Sequence, residues 1–176
     1  MGISIMPVTD EAAQLPIGRW SALMLANDER PTITIWALNA VKLHMLRSGA
    51  IYEMAKPEGG SPYRLFPELS EREVQAIWSG VPPDGVAPDR AQEFYDAEHA
   101  YAAAHEDRPG MPSFKLSNGP PWHITVQECR SVLEIGICRE PLSHEAEMLE
   151  QAELIFDDVI VPVFRLGIEQ AGVMSF

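Results

Sequence analysis

Basic residues are scarce in this chain. Thirteen Lys and Arg stand against 26 Asp and Glu in 176 residues, a net charge of −13 with His neutral. Nucleic acid and anionic membranes are held by basic faces, and this composition offers none, so direct binding to either is not expected. Cysteine is scarcer still. Cys129 and Cys138 are the only two, which suits reduced thiols in a cytoplasmic protein better than a disulfide framework. No apolar run approaches the roughly 20 residues that cross a bilayer. The start, Met1-Gly2-Ile3-Ser4-Ile5-Met6, carries no basic region ahead of its apolar residues, so no secretory leader is expected.

Several catalytic signatures are also missing. A phosphate-binding loop needs a lysine after its glycines, whereas Gly59-Gly60 run into Ser61-Pro62. Cys-x-x-Cys, His-x-x-x-His, acidic calcium loops and Gly-x-Ser-x-Gly do not occur. Asp96/His99 and His144/Glu147 each pair two metal-ligand types at helical spacing, but no third residue joins either pair. No metal and no cofactor are expected, and a binding protein is favoured over an enzyme.

What the chain does have is acid, unevenly placed. Residues 1–88 hold seven bases and ten acids (−3), and residues 89–176 hold six and sixteen (−10). Between Arg139 and Arg165 no Lys or Arg interrupts Glu140, Glu145, Glu147, Glu150, Glu153, Asp157 and Asp158. Glu150, Glu153 and Asp157 share a helix face, where like charges repel by roughly 0.2–0.5 kcal/mol per pair. The partner-binding candidates are therefore Glu147, Glu150, Glu153, Asp157 and Asp158. Carboxylates about 5–6 Å apart on such a face approximate a phosphate array, so the expected partner is a basic protein surface, including that of a nucleic-acid-binding protein. The functional expectation is a non-enzymatic inhibitor, immunity-type protein or nucleic-acid mimic. Self-association is left open.

The clearest local signal is Trp122-His123-Ile124-Thr125-Val126-Gln127-Glu128-Cys129-Arg130. Thr125 and Glu128 have capping-box spacing, in which each side chain satisfies the other residue's backbone N–H. Ile124 and Cys129 form the matching hydrophobic staple, which turns the Cys129 sulfur into apolar surroundings and away from catalysis. Leu69-Ser70-Glu71-Arg72-Glu73-Val74 repeats the device without His or Cys. Trp122 and His123, ahead of the cap, remain free to line a groove. With His44 they form the alternative site, a pocket for a small enzyme or ligand binder. His44 itself reads first as a hydrogen-bonded core residue.

The chain length fits one domain, residues 1–176, with a hinge candidate in the proline-rich stretch 81–88. Apolar periodicity predicts helices near 17–25, 33–48, 70–80, 88–106 and 125–136. A further helix from Ser143 carries a buried stripe through Ala146, Leu149, Ala152, Ile155, Val159, Val163 and Leu166, and Pro162 kinks or splits it. For 32–38 alternation gives a strand and the longer pattern a helix. Ile3 and Ile5 suggest a short strand whose Pro7 belongs at a sheet edge. Phe114 and Leu116 before Asn118-Gly119 suggest a small hairpin within 113–124. The expected fold is mostly α: a compact bundle of five or six helices with minor β.

Overall fold

A computed structural model describes residues 2–14, 31–53, 70, 72, 93, 108–117, 122–141 and 146–175. It corrects the expected bundle. Among the described residues, three long helical rods pack with a four-stranded antiparallel sheet, and a small parallel pair of strands stands beside them. The helix expected at 17–25, those at 70–80 and 88–106 (apart from Ser70, Arg72 and Glu93) and the hinge at 81–88 lie outside the described residues.

The sheet is built from β1 (Gly2–Pro7), β2 (Thr32–Thr34), β5 (Trp122–Ile124) and β6 (Val173–Ser175), in the order β2-β1-β6-β5. Strand β1 serves two neighbours in succession. Its first half pairs with β2 (Ile3 opposite Ile33) and its second half with β6 (Met6 opposite Met174). Alternation along the strands sorts the faces. Ile3, Ile5, Ile33, Ile124 and Val173 point into the main core, and Met174 packs with Val8 and Ala12 on the other side. Ala12 belongs to the short helix α1 (Asp10–Ala13).

Pro7 therefore lies on an interior strand and not at an edge. Its missing donor does no harm there. Ile5 N–H points toward β2 and donates to Pro31 O. Residue 7 faces the same way, past the last paired residue of β2.

Residues 32–38 turn out to be both elements. Thr32–Thr34 form β2, and Thr34 then caps helix α2 (Ile35–Ser48) by accepting from the Ala37 N–H. Gly49 ends α2 in the left-handed conformation (φ 83°), which glycine adopts without a Cβ clash. The buried side of α2 runs through Ala37, Leu38, Ala40, Val41, His44 and Met45. Trp36 falls beyond the edge of that side and is 79% exposed.

The described residues of the hairpin expected within 113–124 do not pair with each other. Met111–Pro112 (β4) pair in parallel with Ile51–Tyr52 (β3), and Ser113–Leu116 tighten into a 3₁₀ turn. Trp122–Ile124 pair instead with β6, fifty residues further on. No local pattern marks such a partner.

Helix α3 (Val126–Ile135) packs against the C-terminal rod. That rod consists of α4 (Ala146–Ile155), a π turn (Phe156–Ile160) and α5 (Val161–Glu169). In an α-helix, the Pro162 ring would collide with the carbonyl four residues back. The wider turn, in which Val161 N–H reaches Phe156 O, absorbs this without breaking the rod. It also changes the phase. Residues twelve apart in an α-helix are rotated by about 120°, yet Ala152 and Phe164 are both fully buried, and Leu154 and Leu166 are both exposed. The extra residue of the π turn restores alignment to about 20°. Leu166, predicted on the buried stripe, is thereby carried to the outside.

Helix α5 lies against β1 and β6, and Gly167 is the point of closest approach. A Cβ there would stand 2.5 Å from Val173 Cγ2 and 3.0 Å from the Gly172 backbone. Gly167→Ala should therefore destabilise the protein by about 1–3 kcal/mol despite its better helix propensity. Chemical denaturation of the two proteins checks this, and an equal or higher midpoint for the variant would refute it.

Candidate functional site

The acidic candidates lie on one rod. Glu147, Glu150, Asp157 and Asp158 are exposed and Glu153 is half-buried. The sequence suggests no base near them, but the fold supplies one. Arg139 donates to Glu153 Oε1 at 3.0 Å and to both Asp157 oxygens at 2.9 and 3.0 Å. The hydrogen bonds to Asp157 first and Glu153 second hold the guanidinium above its ordinary pKa. Because Arg139 is half exposed, the bridge contributes geometry more than stability. Among the described residues no base stands against Glu147, Glu150 or Asp158. Leu154, 56% exposed, lies among them, one turn beyond Glu150.

Arg139 is positioned by an extended strap, residues 136–140, laid along α2. Ser48 Oγ donates to Gly136 O at 2.7 Å, His44 Nδ1 to Cys138 O at 2.7 Å, and Arg47 to Glu140 O at 2.6 Å. Cys138 N–H returns a bond to His44 O. Carbonyls of alternate residues thus face α2. Of the residues between them, Ile137 is buried in the core and Arg139 reaches the acidic rod.

His44 is therefore a fully buried, hydrogen-bonded core residue, although its Nε2 has no hydrogen-bond partner. A carbonyl accepts only, so Nδ1 carries the proton. The pocket expected from His44, Trp122 and His123 is not assembled as a unit. Neighbours on strand β5, Trp122 and His123 point to opposite faces of the sheet. Trp122 meets Phe114 edge-on at 4.6 Å, and His123 Nε2 bonds Ala171 O at 2.8 Å, while His44 is committed to the strap.

At the start of α3 the capping box is complete. Glu128 N–H donates to Thr125 Oγ1 at 3.2 Å, and Thr125 N–H donates to Glu128 Oε2 at 2.8 Å. Ile124 and Cys129 are both fully buried in the core, as the staple requires. Lys115, which no sequence pattern singles out, adds a further constraint. Its ammonium lies 2.7 Å from both Glu128 oxygens and is 2% exposed. Around it, Ser175 Oγ donates to Lys115 O and Lys42 Nζ to Leu116 O. Burial pulls the Lys42 pKa down, with Glu53 opposing. Tyr52 is pushed up by burial and then by Glu128, while Arg108, 4.2 Å above its ring, opposes. The Lys115–Glu128 pair at the centre of this network is closed off from solvent, so its chemistry is that of a structural lock.

Among the described residues no group of three His, Cys, Asp or Glu could hold a metal, and no helix is long and apolar enough to cross a membrane. Asp96, His99 and His144 lie outside them. No protein-family model, curated protein or solved structure matches the chain.

Removing one member of a buried ion pair leaves an uncompensated charge. Lys115→Met should cost about 3–5 kcal/mol, and adding Glu128→Gln, which can still accept from Thr125, should recover much of it. Denaturation midpoints of the single and double variants test the coupling, and simple additivity would refute it.

Cys129 gives a second test. Burial first, then the Glu128 charge, pushes its thiol up to about 12 from 9.0, against Lys115. Between those values the unfolded chain binds fewer protons than the folded one, so stability must fall as pH rises through the window. Cys129→Ala should flatten that alkaline decline relative to the parent, and an unchanged slope in pH-dependent denaturation would refute the assignment. Tyr52, shifted in the same direction, remains in both proteins.

Proposed function

We propose that this chain is a non-enzymatic interaction protein that binds a basic protein surface through the exposed side of α4, in an inhibitor, immunity-type or nucleic-acid-mimicking role. One observation carries the reading. Glu147, Glu150 and Asp158 stand exposed on the same rod with no base against them among the described residues. Surface carboxylates without counter-charges raise the local negative potential, which steers a basic partner and disfavours an acidic one. Arg139 narrows the candidate set, since Glu153 and Asp157 are already bridged. These two frame the patch, and Glu147, Glu150 and Asp158 are its available charges. The acidic balance of the whole sequence, −13, supports the same reading.

The test is a comparison between the parent and the triple variant Glu147→Gln/Glu150→Gln/Asp158→Asn. These side chains hold no ion pairs among the described residues, and like-charge repulsion on the helix is relieved, so the variant should be at least as stable. Immobilised parent protein should retain a basic protein in low salt and release it in high salt, and the triple variant should not retain it. Identical retained proteins on both, or retention indifferent to salt, would overturn the reading.

A further inference from the structure

The exposed side of the C-terminal rod carries more than charge. Leu154 and Leu166 are 56% and 47% exposed, two of only four large apolar side chains so exposed among the described residues. The π turn sets them on one line, three turns or roughly 16 Å apart along a rod of about 35 Å. The charges beside them are unequal. Glu147, Glu150, Glu153, Asp157 and Asp158 cluster around Leu154, offset among the described residues by Arg139 alone, whereas Leu166 sits between Arg165 and Glu169.

Resting on the interaction reading above, we infer that the rod docks an amphipathic basic helix from a partner protein. That helix carries two apolar anchors three turns apart, with its Lys and Arg confined to the half that covers Leu154. Charge complementarity chooses the occupant. Five carboxylates against one guanidinium repel an acidic or neutral helix at the Leu154 end, and Arg165 beside Glu169 leaves the Leu166 end nearly neutral. Alignment chooses the form. Two leucines aligned on one side of a rod match the repeat of a second helix, whose apolar side chains recur at three- and four-residue spacing. The unequal ends also fix direction, because reversing the partner would place its basic half over Arg165.

Three labelled synthetic peptides test this against the full chain by fluorescence anisotropy. The first is a helical peptide with leucines on one stripe over three turns and lysines in one half. The second has the same composition with the leucines scrambled, and the third is polylysine of equal charge. The striped peptide should bind at least ten-fold more tightly than the scrambled one. Leu154→Ser and Leu166→Ser should each weaken it several-fold without changing its salt dependence, and Glu150→Gln/Asp158→Asn should lower the salt dependence. All three variants replace exposed side chains, and unchanged melting curves confirm their folding. Equal binding of striped and scrambled peptides, or leucine variants that bind like the parent, would overturn the docking inference while leaving an acidic binding surface standing. Failure of all three peptides, polylysine included, would overturn the interaction reading as well.

Discussion

The buried contact between Lys115 and Glu128 is the constraint on which the described structure most depends. A carboxylate and an ammonium removed from water lose several kcal/mol each of solvation, which only close, fully partnered geometry returns. Here both Glu128 oxygens lie 2.7 Å from Lys115 Nζ, and one also accepts from the Thr125 backbone. That requirement fixes the 3₁₀ turn of Ser113–Leu116 against the start of α3. The same turn is then held by Ser175 from β6, Lys42 from α2 and Trp122 from β5. Four elements, α3, β6, α2 and β5, meet at the three consecutive residues Phe114, Lys115 and Leu116. A pair of apolar residues could fill the space as stably, but it would not dictate which residue faces which.

A second organising contact is the strap of residues 136–140. An extended segment laid beside a helix, with no strand next to it, must find acceptors and donors elsewhere. Helix α2 supplies donors from three side chains in its last turns, to the carbonyls of Gly136, Cys138 and Glu140, and its His44 carbonyl accepts from the Cys138 N–H. This arrangement leaves Arg139 directed at α4. The acidic surface and the core-facing helix α2 are thus joined by a short rigid connection. Arg139, the guanidinium that meets the acids between Glu147 and Asp158, is placed there by His44 and its neighbours, and not by any pattern within the acidic segment.

What could be read from the sequence was what neighbours in the chain decide together. Thr125 and Glu128 are three residues apart, and Ile124 and Cys129 five. In each case the structure contains the expected bonds or burial. The interior strand β1, the partnership of β5 with β6, and Lys115 opposite Glu128 depend on residues that meet only after folding, and no spacing rule reaches them. The acidic residues could be located but not their environment, since Arg139 is fourteen and eighteen residues from its partners. Trp122 and His123 looked like companions because they are adjacent, and adjacency in a strand is what sends two side chains to opposite faces.

Phe164 and Gly167 on the inner side of α5, and Leu166 on its outer side, are turned by the same π turn. Inner packing admits little slack: Phe164 is fully buried, and Gly167 has no room even for a methyl group. The outward direction of Leu166 is therefore not a surface property that drifts independently. Turning Leu166 away from Leu154 would require rotating α5 on the sheet, with every buried contact of that segment lost at once. The outer line of the rod is held in register by its interior, and the surface can exchange individual side chains freely while its geometry stays fixed.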